Sequence, residues 1–202
     1  MAQKTKGAAA KLLKLDRKAH QAVKPYQGSV PVKAISWFSE AGDQPQMLTL
    51  SSGVLALGLL TRRPRLVRAG TRMIAAHLLA TGIKNFVKRR VDRTRPFAVS
   101  GPRDHKPKAG RDESKEETSF PSGHSAGALA VARAFARVLP EYRTPALAGA
   151  SLIAVAQIPR CAHYPTDVGA GLAIGWASEA LANAAFARAQ RRPRDASPIR
   201  VI

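Results

Sequence analysis

Three short stretches place chemically capable side chains at fixed spacings. In the first, Lys88 is followed after six residues by Arg95 and Pro96. Lysine supplies a compact charge and arginine a bidentate fork, a pair suited to cradling one anion. Pro96 disfavours helical geometry at Arg95, so Lys88 is expected on a helix end and Arg95 on the loop beyond it. The second stretch, Ser119 to Gly127, contains Pro121-Ser122-Gly123-His124. Pro121 stops an incoming helix, Ser122 or Ser125 can cap a new one, and Gly123 lets backbone approach a ligand. A helix start carries free N–H groups that favour anions, and His124 stands there able to exchange a proton. The third stretch is His163-Tyr164-Pro165-Thr166-Asp167. Pro165 suits a first helical turn, and Asp167 is expected in that turn, close enough to hydrogen-bond the imidazole. A carboxylate that holds one ring nitrogen leaves the other free as a nucleophile.

Each stretch alone has a plainer reading: a solvated basic face, a capped helix start, a His–Asp helix cap. Together and in this order they carry what phosphate-ester hydrolysis needs, namely an anion cradle, a nucleophile and an acid for the leaving group.

The ordered set resembles the type 2 phosphatidic acid phosphatase and vanadium haloperoxidase superfamily, over roughly Ile83 to Gly175. The resemblance implies that His163 attacks phosphorus and forms a phosphohistidine, that Asp167 orients it, and that His124 protonates the leaving oxygen. It implies that Lys88, Arg95, Ser122 and the Gly123 amide bind the phosphoryl oxygens, with no metal and no cofactor. One position departs from the family pattern. An arginine is expected six residues before the nucleophilic histidine, and Gln157 stands there. Arg160, three residues before His163, is expected to supply the missing guanidinium. The substrate implied is a phosphorylated lipid: phosphatidate, a phosphatidylglycerol phosphate or an isoprenyl diphosphate. Two other readings are a vanadate-dependent haloperoxidase-like enzyme, for which the chain is short, and a non-catalytic basic protein binding anionic lipid or nucleic acid.

The elements that must position these residues are helical. The 202 residues suffice for one domain with a real core. Hydrophobic residues make up 45%, largely Ala, Leu and Val, and no stretch alternates with period two, so sheet is not expected. The fold class expected is all-α: about five core helices, from the apolar runs Met47–Leu60, Leu66–Val87, Ala126–Leu139, Pro145–Ile158 and Val168–Ala187. A partly amphipathic helix, Ala9–Val23, and a short one, Val32–Ala41, precede them. Residues 1–8 are expected to be a disordered basic N-terminus, 9–190 the bundle, and 191–202 a basic tail. Residues 98–118 hold five basic and five acidic residues with almost no apolar ones, and read as a charged loop beside the site.

Net charge is +20, from 33 Lys and Arg against 13 acids, which favours polyanionic partners. Aromatics are only 5% and no nucleic-acid-binding spacing is present, so nucleic acid is not the partner expected. Cys161 is the sole cysteine, so no internal disulfide can form. No apolar run follows the N-terminal lysines, so no ordinary signal peptide is expected. Several runs fall short of the roughly twenty apolar residues a span needs, and mean hydropathy is −0.17. Against this, small residues suit close packing of membrane helices, and the basic segments after Leu60 and Ala187 fall opposite the three motifs. That sidedness points to a membrane-embedded bundle in a bacterial-type inner membrane with the site facing outward.

Overall fold

The structure is a computed structural model that describes residues 2–101 and 106–191. Seven α-helices occur among them: α1 Ala2–Val23, α2 Val30–Ser39, α3 Gln44–Leu60, α4 Pro64–Lys88, α5 Gly123–Val138, α6 Arg143–Ala156 and α7 Pro165–Arg191. The last five form the expected bundle, within two to three residues of the sequence expectation at most ends. α1 is longer than expected, starting at Ala2: no proline stands between Ala2 and Ala9, and the helix carries Gly7 within it. His105 and the tail from residue 192 lie outside the described residues.

Helix ends follow local chemistry. Asp43 caps α3, accepting from the Gln44 amide, and Ser122 caps α5, accepting from the Ser125 amide. At the far end of α3 the Arg62 amide bonds the Leu59 carbonyl and the Arg63 amide bonds the Gly58 carbonyl. This pair of bonds closes the helix, with Arg62 at φ 53° in the left-handed position usually held by glycine.

α5 is the central helix, packed against α4, α6 and α7. It can be central because its buried positions are small: Ala126, Gly127, Ala128, Ala130, Ala132, Ala134 and Ala136. On one side Ala130, Val131 and Ala134 meet Met47, Met73, Ala76 and Ala80; on the other Ala128 and Ala132 meet Ala150 and Ile153. α7 comes closest. A β-carbon on Gly171 would lie 2.4 Å from the Ser122 carbonyl oxygen, and one on Gly175 2.4 Å from that of Ala126. Only glycine permits that approach, and it brings the start of α7 against the start of α5.

Two findings differ from expectation. A two-stranded antiparallel sheet exists, β1 Val91–Asp92 with β2 Lys108–Ala109. It is too short for any alternation to show in the sequence. It folds part of the charged loop back onto the first motif, where the amides of Arg93 and Arg95 also bond the carbonyls of Glu117 and Glu116 at 2.7 Å. Second, among the described residues no helix is long and apolar enough to cross a membrane. α3 and α6 are short at 17 and 14 residues, while α4 reaches 25 but carries Arg65, Arg68, Arg72, Lys84 and Lys88.

Candidate active site

α4 ends, α5 begins, α6 ends and α7 begins at one end of the bundle, and the three motifs occupy those ends. Lys88 is the last residue of α4, as expected, and Arg95 follows on the extended segment before Pro96. Both turn to the same carbonyl, that of Thr118: Lys88 Nζ through a short bond and Arg95 Nη2 at 3.5 Å. Burial, with the charges of Arg95 and Lys84 adding to it, pulls Lys88 down to about 7.

Gly123 and His124 open α5, where their amides have no acceptor within the helix. The Ser122 hydroxyl is buried and pairs with Ser125 Oγ at 2.9 Å, so in this state it serves the cap. His124 Nε2 is buried with no hydrogen-bond partner among the described residues. Burial lowers the His124 pKa, with Asp43 acting against that shift.

His163 is buried, and its Nδ1 lies 2.7 Å from the carbonyl oxygen of Ser119. A carbonyl only accepts, so Nδ1 carries the proton and Nε2 keeps the lone pair. Burial, joined by the positive charges of Arg95 and Lys88, lowers the ring to about 4 although Asp167 opposes the shift. The ring is therefore neutral at ordinary pH.

Asp167 does not bond the imidazole as the spacing suggested; its Oδ2 lies 3.8 Å from Nδ1. That oxygen accepts instead from Ser119 Oγ at 2.6 Å and the Tyr164 amide at 2.9 Å. The carboxylate thus fixes Ser119 and the turn carrying His163, and Ser119 holds the ring. Burial raises the Asp167 pKa, but the facing His163, Arg93 and Ser119 outweigh it and the net shift is downward.

Behind Asp167 lies a chain of charge that sequence reading missed. Arg93 donates to Asp167 Oδ1 through Nη1 and to Asp16 Oδ2 through Nη2, the latter at 2.6 Å. Asp16, on α1, also accepts from the Thr166 amide and hydroxyl at 3.1 and 2.6 Å. Arg93 lies over the Tyr164 ring, 4.1 Å from its centroid. Arg93, Asp16 and Asp167 are all at most 1% exposed. In the sequence Arg93 looks like one more member of a basic run. Asp16 did leave a signal, being the only acid before Glu40, set among Lys11, Lys14, Arg17 and Lys18.

Arg160 stands near Arg95 and His124, close enough for its charge to lower both. Its fork, however, donates to Ser39 Oγ at 2.6 Å and to Glu40. Gln157 is buried and donates one of its two amide N–H groups to the Ile153 carbonyl at 2.9 Å, and it brings no charge to the site. Its carbonyl accepts the amides of Ala162 and His163. Cys161 closes this turn at φ 52°, a conformation that carries the chain from the end of α6 to His163.

Comparison with known proteins gives a consistent set of likenesses. A family model of the PAP2 superfamily matches residues 69–191. A lipid A 1-phosphatase of Rhizobium johnstonii is 35% identical over 137 residues, covering 64% of this chain and 55% of that protein. A decaprenylphosphoryl-5-phosphoribose phosphatase of Mycobacterium tuberculosis is 33% identical over 124 residues, 59% of this chain and 60% of that protein. The chain therefore spans little more than half the length of these curated relatives. Among solved structures, Aquifex aeolicus LpxE shares the fold, with a TM-score of 0.55 at 19% identity over 82% of this chain and 92% of that one.

Proposed function

The chain belongs to the PAP2 superfamily, and from that premise we propose that it is a metal-independent phosphatase. Its substrate is a phosphomonoester or diphosphate carried by a lipid, and it works through a phosphohistidine. The observation that carries this reading is His163: neutral through burial, with Nδ1 engaged by Ser119 and Nε2 left as the nucleophile. The phosphoryl oxygens sit among Lys88, Arg95 and the amides opening α5, whose charge offsets that developing in transfer.

In the first half-reaction His163 Nε2 forms a bond to phosphorus as the bond to the leaving oxygen breaks, and His124 gives that oxygen its proton. The negative phosphoryl group beside His124 pushes its pKa back up, so that it enters this step protonated. In the second half-reaction water attacks phosphorus, passes a proton to His124 and releases inorganic phosphate, and His163 returns neutral. Asp167 acts through Ser119 to keep the ring in place.

A lipid-borne substrate is supported by the curated relatives, whose names place them on lipid A and on a decaprenyl phosphate, and by the outer faces of the bundle. Leu60, Leu78, Phe86, Val155, Trp176 and Leu181 are each more than half exposed there. Exposed apolar side chains of this kind suit contact with a bilayer. The basic turn Arg62–Arg68 joins α3 to α4 at the end away from the motifs, which favours a site on the outer face of an inner membrane.

The test is phosphate release from phosphatidate and from an isoprenyl diphosphate, using detergent-solubilised protein with EDTA present. Wild type should release phosphate and His163→Ala should not. Equal release by both would remove His163 from the mechanism.

A further inference from the structure

Most cations at this site already have partners. Lys88 and Arg95 share the Thr118 carbonyl, Arg160 is directed to Ser39 and Glu40, and Arg93 is locked between Asp16 and Asp167. Lys84 is different. It lies one turn before Lys88 on α4, half-buried, and makes no hydrogen bond or ion pair among the described residues. Its stem runs along the start of α5: a β-carbon placed on Gly123 would meet Lys84 Cδ at 3.0 Å and Nζ at 3.6 Å. The ammonium therefore stands beside the amides that open α5.

Taking the phosphatase reading as its ground, we propose that Lys84 is a phosphoryl-binding residue of this site, the cation that position 157 does not supply. The Lys84 side chain is half-buried and, among the described residues, its ammonium has water alone as partner, which a phosphoryl dianion can replace with a stronger, charge-assisted bond. Burial accordingly pulls the Lys84 pKa down, and Asp43, the acid that opposes this, forms no ion pair with it. Lys84 is also close enough to Lys88 to lower that group in turn. Two like charges held together over a helix start make a site for a dianion rather than for any protein side chain. The placement also gives Gly123 a second reason to be glycine, since a side chain there would displace the lysine stem. In the sequence Lys84 sits outside the Lys88–Pro96 spacing and merges with the basic run that follows it.

The test compares wild type, Lys84→Met, Lys84→Arg and Arg89→Met. Arg89 is an exposed cation one residue beyond the end of α4 and controls for loss of general positive field. Two quantities are read: kcat/KM for phosphatidate in detergent, and binding of orthovanadate, a phosphate mimic, by titration calorimetry. Lys84→Met should lose about a hundred-fold in kcat/KM, the scale of removing one transition-state donor, and bind vanadate at least about ten-fold more weakly. Lys84→Arg should stay within about ten-fold of wild type, and Arg89→Met should be unchanged. Thermal unfolding should show Lys84→Met no less stable than wild type, since no native contact of the ammonium is lost. Vanadate affinity equal in wild type and Lys84→Met, or equally reduced in Arg89→Met, would overturn the assignment while leaving the phosphatase reading intact. A wild type that neither released phosphate nor bound vanadate would overturn both.

Discussion

At the start of α7, Asp167 shares Arg93 with Asp16, and all three side chains are at most 1% exposed. Twelve residues later, about 18 Å along the helix, Glu179 takes Arg133 and Arg137 from α5, whose side chains remain 25% and 42% exposed. Both clusters bind a carboxylate to arginine and both fasten α7. The first is dry and fully hydrogen-bonded, with Thr166, Tyr164 and Ser119 filling the remaining valences. The second is wet on its arginine side alone, since Glu179 itself is 2% exposed. Where solvent is excluded, removing one charge strands the others; where it is present, water takes over the lost bond. Charge at the site end therefore sets geometry, and charge at the other end trims stability.

The widest separation between the two clusters should come from Arg93→Met. It leaves Asp16 and Asp167 buried and unpaired, which costs about 3 to 5 kcal/mol. Phosphate release should fall at least a hundred-fold at temperatures where the variant is still folded by circular dichroism. Near-normal turnover in that variant would mean that Asp167 holds Ser119 without help.

The pH profile sharpens the comparison from the site side alone. His163 is competent only when neutral, so kcat/KM should fall about ten-fold per unit below about 4, the value to which burial lowers it. Lys88 and His124 are needed charged, so kcat/KM should also fall on the alkaline side, from about 7 for Lys88 and at no higher pH for His124, whose pKa is lowered. Lys88→Arg should leave only the His124 limb. A profile that moved with Glu179→Gln would erase the distinction between the clusters.

Gly171→Ala probes the contact that ties the two helix starts together. The added carbon needs room where the Ser122 carbonyl lies 2.4 Å away. A loss of about 1 to 3 kcal/mol in urea unfolding is expected, together with weaker vanadate binding, because Ser122 and Gly123 shift with it. The smallest effect on turnover belongs to Glu179→Gln. Its buried carboxylate accepts from both Arg133 and Arg137, so about 1 to 3 kcal/mol of stability should be lost, with kcat/KM unchanged.

Much of this molecule was legible in its sequence. The five core helices announce themselves as apolar runs ended by Pro, Gly and charge. The placing of Lys88 at a helix end, and of Gly123 and Pro165 at helix starts, follows from backbone rules alone. What local pattern could not show was which charges lose their water. Arg93 and Arg90 look alike in a basic run, yet Arg93 is buried and Arg90 lies over Phe86 on the surface. The difference depends on Asp16, 77 residues earlier. The His163–Asp167 spacing was right for a shared turn but said nothing of Ser119, whose carbonyl comes from a different segment. Arg160 was expected in the cradle because it is near in sequence, and it is near in space. Its fork is turned by Ser39 and Glu40, which no spacing rule connects to it. Cys161 shows in the sequence only as a lone cysteine, and its left-handed backbone closes the turn before His163.

The bonds from Asp16 to Thr166 join residues 150 apart, and this sets a schedule for the nascent chain. The first motif leaves the ribosome while its counter-charge on α7 is still unmade, so Arg93 must wait in water with one carboxylate at most. Helices α3 to α5 have mostly local partners and can pair as they emerge. His163, Ser119 and the buried charges fall into place together only when α7 begins. A chain halted before residue 167 would be largely helical, with this end of the bundle unassembled.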